Sequence, residues 1–182
     1  FAVGGFDAFS VEATAAVLGS GDTTVRSGAA LDLRSPLLAG DPGSQLTLAA
    51  PGRAVTLARP ATGAVPSTAV AVGAALEVSG GSVTADTALL YPAGRVRLVA
   101  DDTVSLGSNA VVDVSGRRLG FAGERVDVPG GGVEIVARTG GAQFAAGSRI
   151  DVSAGTGDAA AGSLRILAAG DASLAGVLEG GA

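Results

Sequence analysis

The chain has 182 residues, enough for one ordinary domain, and its mean hydropathy of +0.47 with 16% charged residues excludes a disordered polymer. It contains no Cys, Met, Trp or His, which removes disulfides, cysteine metal sites and every His-based triad, base or ligand. A net charge of −5 argues against nucleic acid as a partner.

Thirty residues are Gly and aromatics are scarce, so the core must be thin and built from Val, Leu, Ile and Ala. No run of 18 apolar residues occurs, and no signal peptide opens the chain. Phe1 and Ala182 both fall in mid-pattern, the expectation for an internal piece of something longer.

Residues 1–20 are an irregular entry. Gly4-Gly5 signals a turn, and the following alternation puts Phe9, Val11 and Ala13 inward, Ser10 and Glu12 outward. Repeat coils follow over 21–175, and 176–182 begin a truncated coil. One pattern occurs four times, at 25–35, 70–80, 106–116 and 144–154. A large apolar residue opens each copy: Val25, Val70, Leu106, Phe144. Three residues on stand Gly28, Gly73, Asn109 and Gly147, a column of the residue types that best tolerate positive φ. It predicts one backbone corner made four times. An apolar–acid–apolar triplet closes each copy, centred on Asp32, Glu77, Asp113 and Asp151, and its alternation predicts a strand with one buried face.

Between the copies, 35–45 form a loop, 46–50 and 55–58 are strands, and 59–69, with Pro60 and Pro66, form another loop. Residues 81–94 carry Val83–Ala85 and Leu89–Tyr91 and break at Pro92. From 95 the repeat is cleanest: leading strands at 96–100, 133–137 and 164–168 each follow Gly. Loops at 116–131 and 154–162 absorb variation in repeat length. No stretch shows helical periodicity with caps. Strand, corner, strand repeated in register is a solenoid. The prediction is an all-β fold of parallel strands wound into a β-helix, one motif per coil, with roughly five coils and a length of about 25 Å.

In that register Asp32, Glu77, Asp113 and Asp151 stack as an acidic ladder, compensated by a Ca²⁺ ion or, more simply, by water, salt and nearby Arg34, Arg117, Arg118 and Arg149. No metal is expected, because the Ca²⁺ repeat of β-rolls is absent. Arg97, Glu134 and Arg165 hold one outward position on the three leading strands, and their alternating charges read as register pins.

The series Gly131–Ala137 followed by Gly147–Gly155, and Gly94–Ala100 with Val111–Gly116, resembles the repeat of filamentous haemagglutinin-type exoproteins. Gly5–Val11 resembles a coil start in the very large members. The resemblance implies a right-handed parallel β-helix, exported by two-partner secretion through an outer-membrane transporter to a Gram-negative cell surface. It implies a virulence-associated adhesin or shaft. The family's secretion domain carries Asn-Pro-Asn, which this chain lacks, and the shaft repeats contribute no catalytic residues.

The function expected is therefore a non-catalytic shaft segment without cofactor, haem included. A host glycan or protein is the partner if the loops 59–69, 81–94 and 116–131 recognise one. The alternative is a carbohydrate-active or glycan-binding β-helix. Asp86, Asp101 and Asp102 are its candidate carboxylates, although adjacent Asp residues on a strand point to opposite faces. Three or more carboxylates and a base converging on one groove mark the alternative; projecting loops without such a cluster mark the shaft.

Overall fold

The computed structural model describes residues 2–3, 7–62, 71–121, 123–155 and 158–181. Within them the protein is all-β, and nearly every strand pairing is parallel. The chain makes seven successive passes through the same strand positions. The first holds β1 (Ala2–Val3), β2 (Ala8–Glu12) and β3 (Val17–Gly19). The second holds β4 (Asp22–Ser27), β5 (Ala30–Arg34) and β6 (Leu37–Gly40). The third is one long strand, β7 (Gln45–Ala58), irregular between Ala50 and Ala54. The fourth holds β8 (Ala75–Asp86) and β9 (Ala88–Leu90). The fifth holds β10 (Arg95–Ala100), β11 (Val104–Leu106) and β12 (Val111–Asp113). An antiparallel hairpin, β13 (Arg117–Phe121) and β14 (Glu124–Val128), then interrupts the sequence. The last passes are β15 (Gly132–Ala137), β16 (Ala142–Phe144) and β17 (Arg149–Asp151), then β18 (Ser163–Ala168), β19 (Ala172–Leu174) and β20 (Val177–Glu179).

A 12-stranded sheet carries two ladders that share β7 and β8. One ladder runs β1-β4-β7-β8-β10-β15-β18; the other runs β2-β5-β7-β8-β11-β16-β19. A six-stranded sheet runs β3-β6-β9-β12-β17-β20. Seven passes replace the expected five. The first and third passes carry no copy of the motif, so counting motif copies undercounts the passes. The entry expected to be irregular already pairs in register: Phe9 lies beside Leu31 and Val17 beside Leu38.

The interior is a set of columns, because parallel pairing in constant register puts like positions about 4.8 Å apart. Leu48, Val78, Leu98, Ile135 and Ile166 make one column. Leu38, Leu89, Val112, Ile150 and Leu178 make another. Most of these side chains are fully buried, and each contributes about 1.5–3 kcal/mol relative to exposure. Two neighbouring columns tend in opposite directions in side-chain size. Phe9, Leu31, Val55, Val83, Val104, Ala142 and Ala172 shrink along the stack. Val11, Leu33, Leu57, Ala85, Leu106, Phe144 and Leu174 broadly grow. The two rings sit beside smaller partners, Phe144 with Ala142 and Phe9 with Val11, whereas Val83 and Ala85 are both small.

The third pass adds no strand to the six-stranded sheet among the described residues, and β6 pairs directly with β9. Tyr91, the largest fully buried side chain, follows β9 at this skipped position. Its ring, Ser44 and Ala74 converge on Gly40: a Cβ there would lie 2.6 Å from Ser44 Oγ, 2.8 Å from Ala74 Cβ and 3.6 Å from Tyr91 Cε1. The opposite face of the same sheet carries a second small cluster of Leu37, Ala39 and Ala88.

Candidate functional site: charged columns and a glycine groove

The first ladder bears a charged column on its outer face. Arg97 stands between Glu77 and Glu134, and Glu134 stands between Arg97 and Arg165. Arg97 donates to Glu77 Oε1 and Glu134 Oε2, both at 2.7 Å, and Arg165 lies 3.6 Å from Glu134. The Arg97 hydrogen bond is the main cause that holds the Glu134 carboxyl below its usual range. These pairs are part-exposed, so each adds little stability by itself. Their alternation instead favours the observed register, because a two-residue slip would set Arg97 beside Gly132 or Val136 in place of Glu134.

The four-membered acidic ladder is not formed. Asp32 lies on the second ladder beside Ser10 and Thr56, and it pairs with Arg34 at 3.0 Å. Glu77 belongs to the alternating column on the first ladder. Only Asp113 and Asp151 stack on one another, and Glu179 extends that pair on the third sheet. The reason is physical. An apolar–acid–apolar triplet suits the outer face of any strand, so the pattern occurs on all three ladders and does not identify which one. The copies at 106–116 and 144–154 are in register, Leu106 with Phe144 and Asp113 with Asp151. The copy at 25–35 runs along β4 and β5, and the Glu77 triplet lies on β8. Val70 lies outside the described residues.

The stacked acids are compensated locally. Arg117 donates to Asp113 at 2.8 Å, and Arg149 bridges Asp151, at 2.8 Å, and Glu179. Ser153 donates both its N–H and its hydroxyl to Asp151 Oδ1, and Ser115 repeats the arrangement on Asp113. Desolvation pushes the Asp151 pKa up, but the Ser153 hydroxyl and N–H, with Arg149 and Arg117, outweigh it and hold the carboxyl below its usual range. A carboxylate of lowered folded pKa stabilises the fold above its unfolded pKa of about 3.9, and that stability is lost as pH falls through the folded value. Asp151→Asn should therefore lower the melting temperature at pH 7, and the gap from the parent should narrow on acidification below about pH 4. A gap that stays constant over that titration would show that the charge of Asp151 is irrelevant to stability.

Among the four expected corner residues, Gly73 and Gly147 adopt left-handed backbone, with φ of 81° and 96°, whereas Gly28 and Asn109 do not. Asn109 makes its corner differently. Its N–H and Nδ2 donate to the two carboxylate oxygens of Asp86, at 2.8 and 3.1 Å. The lone Asn in a Gly column read only as a corner and gave no sign of its partner Asp86. At Gly147 a Cβ would also lie 2.8 Å from Ser108 O. Gly147→Val should cost about 2 kcal/mol or more, whereas Ala145→Val, at an exposed site, should stay within about 0.5 kcal/mol. Equal thermal shifts for the two variants would remove the corner argument.

The carboxylates considered for sugar chemistry do not converge. Asp86 is held by Asn109, and Asp101 pairs with Arg138 at 2.7 Å. Asp102 lies against Gly140, where an added Cβ would come within 2.3 Å of its Oδ1. Asp86 ends β8, whereas Asp101 and Asp102 follow β10. Among the described residues, no group of three or more acidic side chains is arranged to hold a metal ion.

Two of the three expected recognition loops are strands. Residues 81–94 contain the end of β8 and all of β9, and 116–131 contain the hairpin. Alternation in both stretches was visible, but Gly and Pro punctuation outweighed it. Residues 63–69 of the 59–69 loop lie outside the described residues. The hairpin projects Leu119 and Val126, cross-strand neighbours that are 38% and 52% exposed, with Arg118 and Asp127 paired at 2.7 Å on its other face. Beside its base runs a groove of about 600 Å³ floored by Gly94, Gly131 and Gly162 and edged by Arg95, Glu134 and Arg165. No family model, curated protein or solved structure is significantly similar to this chain.

Proposed function

We propose that the passes close into a right-handed parallel β-helix, and that the chain is a non-catalytic shaft segment of a filamentous haemagglutinin-type surface exoprotein. One observation carries the reading: β8, β10, β15 and β18 hold a single register, six residues in each pairing, while their outward charges neutralise one another. A surface organised that way serves length and rigidity. The stretches that resemble the exoprotein repeat coincide with β10, β12, β15 and β17, so the resemblance lies on the regular part of the fold. Export by two-partner secretion would thread the chain through an outer-membrane transporter to a Gram-negative surface. The absence of Cys suits that route, because no disulfide can form ahead of folding. A host glycan or protein would meet the projecting hairpin first.

The carbohydrate-active alternative would use the glycine groove. There Glu134 stands between arginines and already accepts from Arg97. Sugar hydrolysis requires a pair of carboxylates flanking one bond, with one of them protonated. The lowered pKa of Glu134 works against that second role.

Antibodies raised against this chain should label the outside of intact bacteria that produce the full-length protein. Labelling only after the cells are broken would overturn the surface reading. Release of reducing ends or unsaturated sugars from a polysaccharide panel by the purified chain would overturn the non-catalytic one.

A further inference from the structure

We infer that the glycine groove binds a sugar chain bearing isolated carboxylates, with Arg95 holding a carboxylate and Ser163 and Glu134 holding ring hydroxyls. The inference gives a chemical class to the glycan partner and rests on the non-catalytic reading above.

β10 carries two outward arginines in different surroundings. Arg97 lies between Glu77 and Glu134 and is hydrogen-bonded to both. Arg95, two residues earlier, lies between Ala75 and Gly132, neither of which offers a side-chain acceptor. Arg95 is exposed and makes no hydrogen bond or ion pair among the described residues. Gly132 leaves its outward position vacant. Apart from its chain neighbours, an added Cβ there would meet, among the described residues, only Ser163 Oγ, at 3.4 Å. Arg95 and Ser163 therefore flank a gap of about 10 Å, two strand spacings, with no side chain between them. Glu134 borders the gap two residues further along the same face of β15. β10 and β15 are each paired on both sides, so Arg95, Gly132 and Glu134 lie within the stack, away from its bare edges.

The charges select the ligand. An unengaged guanidinium over an open groove suits a carboxylate, which it can hold by two parallel hydrogen bonds. Glu134, already accepting from Arg97, can accept from hydroxyls too but repels a second anion. A polysulfated glycan would set one of its charges against Glu134. A uronate ring flanked by neutral sugars supplies both kinds of contact, one carboxylate for Arg95 and hydroxyls for Ser163 and Glu134. The floor admits such a ring because its backbone groups are already spent between passes. Gly132 donates to the Gly94 carbonyl and Ser163 to the Gly131 carbonyl, both at 2.9 Å. Polar contacts therefore fall to the side chains at the groove's edges, and no side chain lifts the ring off the floor at Gly94, Gly131 and Gly162.

Backbone NMR titration of the purified chain tests this, with three tetrasaccharides: one alternating glucuronate and N-acetylglucosamine, the neutral N-acetylglucosamine tetramer, and a heparin fragment. The glucuronate chain should shift the resonances of Arg95, Gly132 and Ser163 with a Kd of about 1 mM or tighter, and the neutral tetramer should bind at least about tenfold more weakly. Arg95→Gln should weaken the glucuronate chain about tenfold and leave the neutral tetramer unchanged. Arg26→Gln, at an exposed arginine elsewhere on the same ladder, should change neither. Gly132→Val should fill the vacancy and weaken both; if it loses its fold, Gly132→Ala replaces it. No binding of the glucuronate chain at about 10 mM overturns the inference. So do equal affinities for the acidic and neutral chains, equal losses in Arg95→Gln and Arg26→Gln, or tighter binding of heparin at the same resonances. These outcomes leave the antibody labelling untouched, so a failed groove and a failed surface reading are told apart.

Discussion

Tyr91→Ala is expected to destabilise the protein by about 3–5 kcal/mol, the range for emptying a buried aromatic site. The ring is fully buried at the skipped position of the six-stranded sheet, and Gly40 and Ala74 flank it. Glycine has no side chain and alanine only a methyl, so neither neighbour can refill the space. Tyr91→Phe should behave oppositely. The phenolic oxygen is buried and, among the described residues, has no hydrogen-bond partner, so its removal should leave stability unchanged or raise it by about 1 kcal/mol. Burial also pushes the phenol's pKa up. A group whose folded pKa is raised supports the fold fully below its unfolded pKa, near 10 for Tyr, and loses that support as pH rises. Urea titrations at pH 7 and at pH above about 10 separate these effects. The parent should weaken at high pH more than Tyr91→Phe does. A Phe variant that loses more than about 1 kcal/mol at neutral pH would mean that the hydroxyl is bonded after all.

The second large effect is expected at Gly131→Ala. A Cβ at Gly131 would lie 2.0 Å from the Gly94 carbonyl oxygen and 2.7 Å from the Gly94 nitrogen. Both are backbone atoms, so no rotamer change relieves the contact. The passes would have to part, and the bond from Gly132 N–H to Gly94 O, now 2.9 Å, would go. The loss should be on the order of 3 kcal/mol. Gly132→Ala is the control one residue away. Its nearest non-neighbouring atom would be Ser163 Oγ at 3.4 Å, so the change should stay within about 1 kcal/mol. Similar urea midpoints for the two variants would contradict the close approach. Gly162 repeats the constraint on the next pass, where a Cβ would sit 1.9 Å from Gly131 O. This stacked corner explains why each leading strand follows glycine.

Much of the strand content was readable from the chain. Alternation at 96–100, 133–137 and 164–168 located β10, β15 and β18, and the alternating charges of Arg97, Glu134 and Arg165 gave their mutual register. Those residues are informative because adjacent passes there differ by a constant pattern of corner, strand and charge. The Asp86–Asn109 clamp and the burial of Tyr91 were not readable. Each depends on residues from different passes, brought together by pairing that no local pattern encodes.

The acidic triplets show the same boundary. Side-chain alternation is a property of each strand alone, so Asp32, Glu77, Asp113 and Asp151 were all correctly set between two inward apolar residues. Membership of a ladder is a property of the whole stack, because it depends on how many residues each corner and insertion consumes. A long strand that serves two ladders, as β7 and β8 do, or a pass that skips the third sheet, shifts every later assignment. The chain by itself thus determined the strands, their buried faces and the register of the regular passes. Only the tertiary structure decided which side of the stack each acid occupies, since strand periodicity is local and the pairing that sorts strands into sheets is not.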